Sequence, residues 1–86
     1  MKRISGTWEK GFWKVTIKEG VLYVSYEDLL ARNPWSAPLD EMLDLSPEEA
    51  VERIQETNFD LPPEEEKETW EDLRRLIAEI WSEIET

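Results

Sequence analysis

Neither cysteine nor histidine occurs in the 86 residues. That removes disulfides, thiolate and imidazole metal sites, a thiol nucleophile and the side chain that most readily moves protons near neutral pH. Glycine is nearly as scarce. The three glycines, Gly6, Gly11 and Gly20, all fall within the first twenty residues. Beyond Gly20 nothing offers the permissive backbone of a phosphate cradle or a calcium loop. No apolar run reaches the roughly 18 residues of a membrane-spanning helix. Met1-Lys2-Arg3 is basic, but no apolar signal segment follows it. A soluble, cytoplasmic protein without membrane contact is expected.

Catalysis would have to rest on carboxylates, lysine or tyrosine. The acidic pairs fall on helix faces that the periodicity places in solvent, where nothing tunes them. No enzyme, cofactor or metal site is expected, and Asp40, Glu41 and Asp44 are too weak a signal for a carboxylate metal site.

Charge is abundant and uneven. Residues 1–26 carry a net +3 and residues 27–86 a net −14, which together make the −11 of the whole chain. A small domain usually carries a net charge of about 2–8 in magnitude. A field of this sign repels nucleic acid and anionic lipid and attracts basic protein surfaces.

The strongest periodic signal is at the C-terminal end. At 100° per residue, Trp70, Leu73, Leu76, Ile77, Ile80, Trp81 and Ile84 share an arc of about 140°. The far side carries Glu65, Glu68, Asp72, Glu79 and Glu83. One long helix is expected over residues 62–85, opened by Pro62-Pro63 and supported by acids in its first turn. Positions 70-73-77-80-84 also spell a heptad seam, but the stripe is wider than a seam and fits a helix packed on its own domain.

The first 26 residues read as a three-stranded antiparallel meander with turns at Lys10-Gly11 and Glu19-Gly20. Two-residue turns pair Glu9 with Phe12 and Lys18 with Val21. That register sorts Trp8, Trp13, Val15, Ile17, Leu22, Val24 and Tyr26 onto one face, whereas a bulged turn mixes lysines among them. Residues 27–46 are expected to be an irregular connector with short helical turns, stiff and extended around Asn33 to Pro38 because each proline disfavours helix before it. A second helix is expected over residues 47–58. Ser46-Pro47-Glu48-Glu49 is a capping box with proline at the first helical position. The fold class is therefore α+β, one domain over residues 1–86, with the long helix across a three-stranded meander.

Three surfaces are candidates for function. The first is acidic: Glu48, Glu49, Glu52 and Glu56 on the shorter helix, with Glu65, Glu68, Asp72, Glu79 and Glu83 on the longer one. Acids four residues apart stand about 6 Å apart along a helix, a spacing comparable with phosphates on one strand. The plainer account is a solvated face, and Arg75 interrupts the row. The second is basic: Arg3, Lys14 and Lys18 around Tyr23, the ingredients of a single-strand nucleic-acid platform without its signatures. The third is Trp35, an interface anchor on a proline-bounded loop or a plug over the edge of the core.

The leading expectation is a non-catalytic acidic module. It would occupy a basic, nucleic-acid-binding type of site on a partner protein, as an inhibitor, antitoxin or nucleic-acid mimic. The alternative is an assembly subunit or homodimer with an apolar interface at Trp35 or the heptad seam. A nucleic-acid binder using the basic sheet face comes third.

Overall fold

Two glycine-bearing turns shape the start of the chain, and they differ. The computed structural model describes residues 5–26, 35–57, 62 and 65–85. Strand β1 (Gly6–Lys10) pairs antiparallel with β2 (Trp13–Lys18) through Lys10↔Trp13, Glu9↔Lys14 and Trp8↔Val15. The loop is therefore Gly11-Phe12. Gly11 has φ +61° and Phe12 is not among the positive-φ residues, the pattern of a type II′ turn with glycine first. The expected pairing of Glu9 with Phe12 is displaced by two residues. An even displacement leaves every side chain on its own face, so the sorting of faces holds although the turn moves.

Strand β3 (Val21–Tyr26) follows with Lys18↔Val21, as expected. Here both loop residues are left-handed, Glu19 at φ +52° and Gly20 at φ +77°. That is the type I′ combination. Holding a residue with a Cβ in this region costs about 1–2 kcal/mol.

A fourth strand corrects the expected three. Residues Trp35–Pro38 form β4, paired antiparallel to β3 through Val24↔Trp35 and Leu22↔Ala37. The sheet order is β1-β2-β3-β4. The stretch is extended, as its prolines require, but it is a strand and not a free connector. Pro38 is tolerated because β4 lies on an edge, and the Leu39 N–H closes the pairing on the Gly20 carbonyl at 2.9 Å. The helical turn expected before Asn33 lies outside the described residues.

Helix α1 (Leu39–Leu43) buries Leu39 and Met42. Helix α2 (Pro47–Glu56) begins on the expected capping box. The Ser46 hydroxyl accepts the Glu49 N–H at 3.2 Å, and the Glu49 carboxylate accepts the Ser46 N–H at 3.0 Å. Its narrow inner face is Ala50, Val51 and Ile54.

Helix α3 runs Lys67–Glu85, five residues shorter at its start than the sequence suggests. Glu65 lies in a turn ahead of it, and the Trp70 N–H makes an early helical bond to the Glu66 carbonyl at 3.2 Å. Most helical stability comes from packing an apolar face, and the stripe supplies nothing to bury before Trp70. Consecutive glutamates at 64–66 add like-charge repulsion there.

One core joins the layers. Trp13, Val15, Ile17, Leu22, Val24 and Trp35 from the sheet meet Met42, Ile54, Leu73, Leu76, Ile77 and Ile80 from the helices. The outer sheet face carries Lys14, Thr16, Lys18 and Tyr23, none of them buried. Three indoles are fixed by directional bonds: Trp13 Nε1–H to the Thr69 carbonyl at 2.7 Å, Trp81 Nε1–H to the Leu45 carbonyl at 2.9 Å and Trp8 Nε1–H to the Glu83 carboxylate at 2.9 Å. Among the described residues no buried side-chain polar atom lacks a partner.

Candidate functional site

Helix α3 sets the geometry of the acidic surface. Arg74 reaches Glu48 of α2 at 3.6 Å, whereas Glu83 accepts the indole of Trp8 on β1. Nine residues separate Arg74 from Glu83, about 180° around a helix. The second helix and the first hairpin therefore flank α3 on opposite sides, and the acids expected to form one surface divide into two patches.

On the α2 side, Glu48, Glu52 and Glu56 stand four residues apart along an exposed face. Glu48 is drawn to Arg74. Arg74 itself is held by a bidentate bond to Glu71, with Nε 2.9 Å from both carboxylate oxygens, and Arg75 approaches Glu71 at 3.8 Å. The hydrogen bond from Arg74 outweighs desolvation and holds the Glu71 carboxyl below its usual range, while the same bond raises Arg74. Glu49 is committed to the helix cap, and its carboxyl is lowered chiefly by the Ser46 backbone N–H. Glu52 and Glu56 have no hydrogen bond or ion pair among the described residues.

On the hairpin side, Glu79 pairs with Lys10 at 3.6 Å and Glu83 is taken by Trp8. Glu68 is exposed and Asp72 half-exposed, and neither has an ion pair among the described residues. The Asp72 carboxylate lies beside the turn, 3.5 Å from where a Cβ on Gly11 would stand. Glu65, ahead of the helix, belongs to neither row. Of the nine expected residues, Glu48, Glu49, Glu79 and Glu83 are committed and Glu65 stands apart, which leaves four uncommitted carboxylates on the helices in two places: Glu52 with Glu56, and Glu68 with Asp72.

The other two surfaces change as well. Trp35 is 5% exposed, because its pairing with Val24 turns it into the core. It cannot serve as an exposed anchor, and it plugs the core instead. Of the heptad seam, Trp70, Leu73, Ile77 and Ile80 are buried inside the chain and Ile84 is half-buried. Lys14, Lys18 and Tyr23 do share the outer sheet face, but Glu9 stands directly opposite Lys14, and Tyr23 is flanked by Thr16 and Ser36. Among the described residues one acid, Glu9, shares that face with the two lysines. Arg3 lies outside the described residues.

Sequence reasoning missed Phe12 as a turn residue. It is 67% exposed, the one large apolar side chain so placed among the described residues. The signal was available, since glycine in the first loop position is what a type II′ turn asks for.

Between α2 and α3 an open groove of about 190 Å³ lies over Val51 and Trp70, rimmed by Glu48, Glu71, Arg74 and Lys67. Ligand pockets are usually about 300–1,000 Å³. Among the described residues no acidic cluster is arranged to hold a metal, and no helix is long and apolar enough to cross a membrane. Comparison with protein-family models, curated proteins and solved structures found no match.

Proposed function

We propose that this chain is a non-catalytic protein-binding module that sets an acidic surface against a basic site on a partner protein, in the manner of an inhibitor, antitoxin or nucleic-acid mimic. The observation that carries this reading is the division of the carboxylates. Arg74, Arg75 and Lys10 are all spent on Glu48, Glu71 and Glu79. Glu52, Glu56, Glu68 and Asp72 are left without a counter-charge among the described residues. Like charges four residues apart on a helix cost about 0.2–0.5 kcal/mol per pair. The pairs Glu52 with Glu56 and Glu68 with Asp72 keep that cost, and a cationic partner would relieve it. The net charge of −11 adds long-range attraction to such a partner.

The test is a pull-down from the source cells at low and high salt. It compares the native chain with Glu52→Lys/Glu56→Lys and Glu68→Lys/Asp72→Lys. Partners held at low salt should be released at high salt, because exposed charges are screened within about 3 Å at 1 M, and at least one reversed pair should lose them at low salt. The same partners retained by both variants at both salts would sink the proposal.

A further inference from the structure

The exposed Phe12 is not explained by the fold. It contributes nothing to the core, and the second position of a type II′ turn makes no demand for an aromatic ring. Scattered exposed apolar residues are ordinary, but this one is held in an unusual way. Its ring meets Tyr26 edge-on at 5.8 Å. Tyr26 meets Trp13 edge-on at 4.9 Å, and Trp13 lies 4.9 Å from Trp70 in the core. Trp13 is fixed in turn by its bond to Thr69. A ladder of four rings runs from the interior to the tip of the hairpin, so the outermost ring is presented on a rigid support. An aromatic side chain ordered before binding loses little entropy on binding, and such residues dominate interface energies.

The surroundings define what it would meet. Gly11 places the turn beside Asp72, and Glu68 stands one helical turn earlier on the same side of α3. Both carboxylates lack a counter-charge among the described residues. We infer that the β1–β2 turn is the anchor of the binding surface. Phe12 enters an apolar depression on the partner, and Glu68 and Asp72 face lysine or arginine side chains on its rim. This inference rests on the acidic-module reading and adds to it the partner's chemistry, an apolar pocket within a basic surface. It also ranks the hairpin patch above the α2 patch, which has no exposed large apolar residue among the described ones.

The test uses two synthetic peptides of equal positive charge, one of lysine and serine, the other with leucines replacing some of the serines. Binding to the full chain is measured at low salt, with amide chemical shifts as the map. The leucine peptide should bind about tenfold more tightly than the serine peptide, a hot-spot-sized difference, and should shift Gly11, Phe12 and Tyr26. Phe12→Ser should abolish that ratio while leaving the serine peptide's affinity within about twofold. Equal affinity of both peptides for the native chain, or a ratio unchanged in Phe12→Ser, would overturn the anchor while leaving the acidic reading intact. Binding by neither peptide would overturn both. Phe12 is exposed, so the variant should keep its fold, which circular dichroism would verify.

Discussion

The two flanks of α3 are built on different principles. The hairpin flank is fastened by rings and directional bonds: the Trp13 indole on Thr69, the Trp8 indole on Glu83, and the series of edge-on and tilted ring contacts from Trp70 to Phe12. The α2 flank is fastened by aliphatic side chains, Ala50, Val51 and Ile54, and by the charge of Arg74, which is shared between Glu48 and Glu71. Large aromatic side chains carry much of their binding energy in their buried area, so the hairpin flank should be the stiffer seam. The α2 flank relies more on local helix signals. The contrast shows how one helix can serve as core for a sheet on one side and as a charged ledge for a helix on the other.

The largest effect is expected where the stiff seam is cut. Trp13→Ala removes a buried ring, its bond to Thr69 and the support beneath Tyr26. Large aromatic truncations of this kind cost about 3–5 kcal/mol, and urea unfolding would measure the loss. A cost below about 1 kcal/mol would mean that the aromatic series does not bind hairpin to helix.

On the opposite flank the weak point is the cap. Ser46→Ala deletes the hydroxyl that accepts the Glu49 N–H and should cost about 0.5–2 kcal/mol, with Ser46→Asp recovering most of it. Hydrogen exchange should then rise in α2 before it rises in the sheet. Uniform loss of protection across both flanks would show that they unfold as one unit.

A smaller change of opposite sign is expected at Glu19→Gly. It relieves the left-handed strain but adds freedom to the unfolded chain, so the net gain should be about 1 kcal/mol or less. A lowered melting temperature would show that the Glu19 side chain contributes something the turn geometry does not reveal.

The least of the expected effects is acid sensitivity. Both lowered carboxyls, Glu49 and Glu71, lie on α2 or on the part of α3 that faces it. A carboxyl depressed in the folded state contributes stability above its unfolded pKa, about 4.3, and the contribution fades as pH falls through the folded value. The α2 flank should therefore loosen first in acid. Glu49→Gln, which keeps the capping geometry without the charge, should flatten the profile below about pH 4.3. An identical acid profile in that variant would remove Glu49 as a cause.

Much of this architecture could be read from residue pattern. The capping box at Ser46, the inward face of the sheet and the apolar stripe of α3 each rest on a repeat or a local motif with one physical solution. The turn at Gly11 could not be fixed by sorting faces, because a shift of two residues preserves them. Strand β4 was hidden by its length. Four residues, the last of them a proline, are too few to show alternation, and the partner that makes them a strand is β3, supplied by the fold and not by local sequence. The acidic surface was legible as composition but not as arrangement. Which carboxylates are taken by Lys10, Trp8 or Arg74 depends on contacts across the chain.

The bond between the Trp8 indole and Glu83 spans 75 residues, and that between Trp13 and Thr69 spans 56. During synthesis the hairpin emerges before the helix that covers it. At about 5–20 residues per second, roughly 3–11 s separate Trp13 from its acceptor. Throughout that interval Val15, Ile17, Leu22 and Val24 lack the cover of α3. The crowd of charge that follows the sheet in the chain comes after an apolar surface has been made, and its repulsion would keep neighbouring nascent copies apart until α3 arrives.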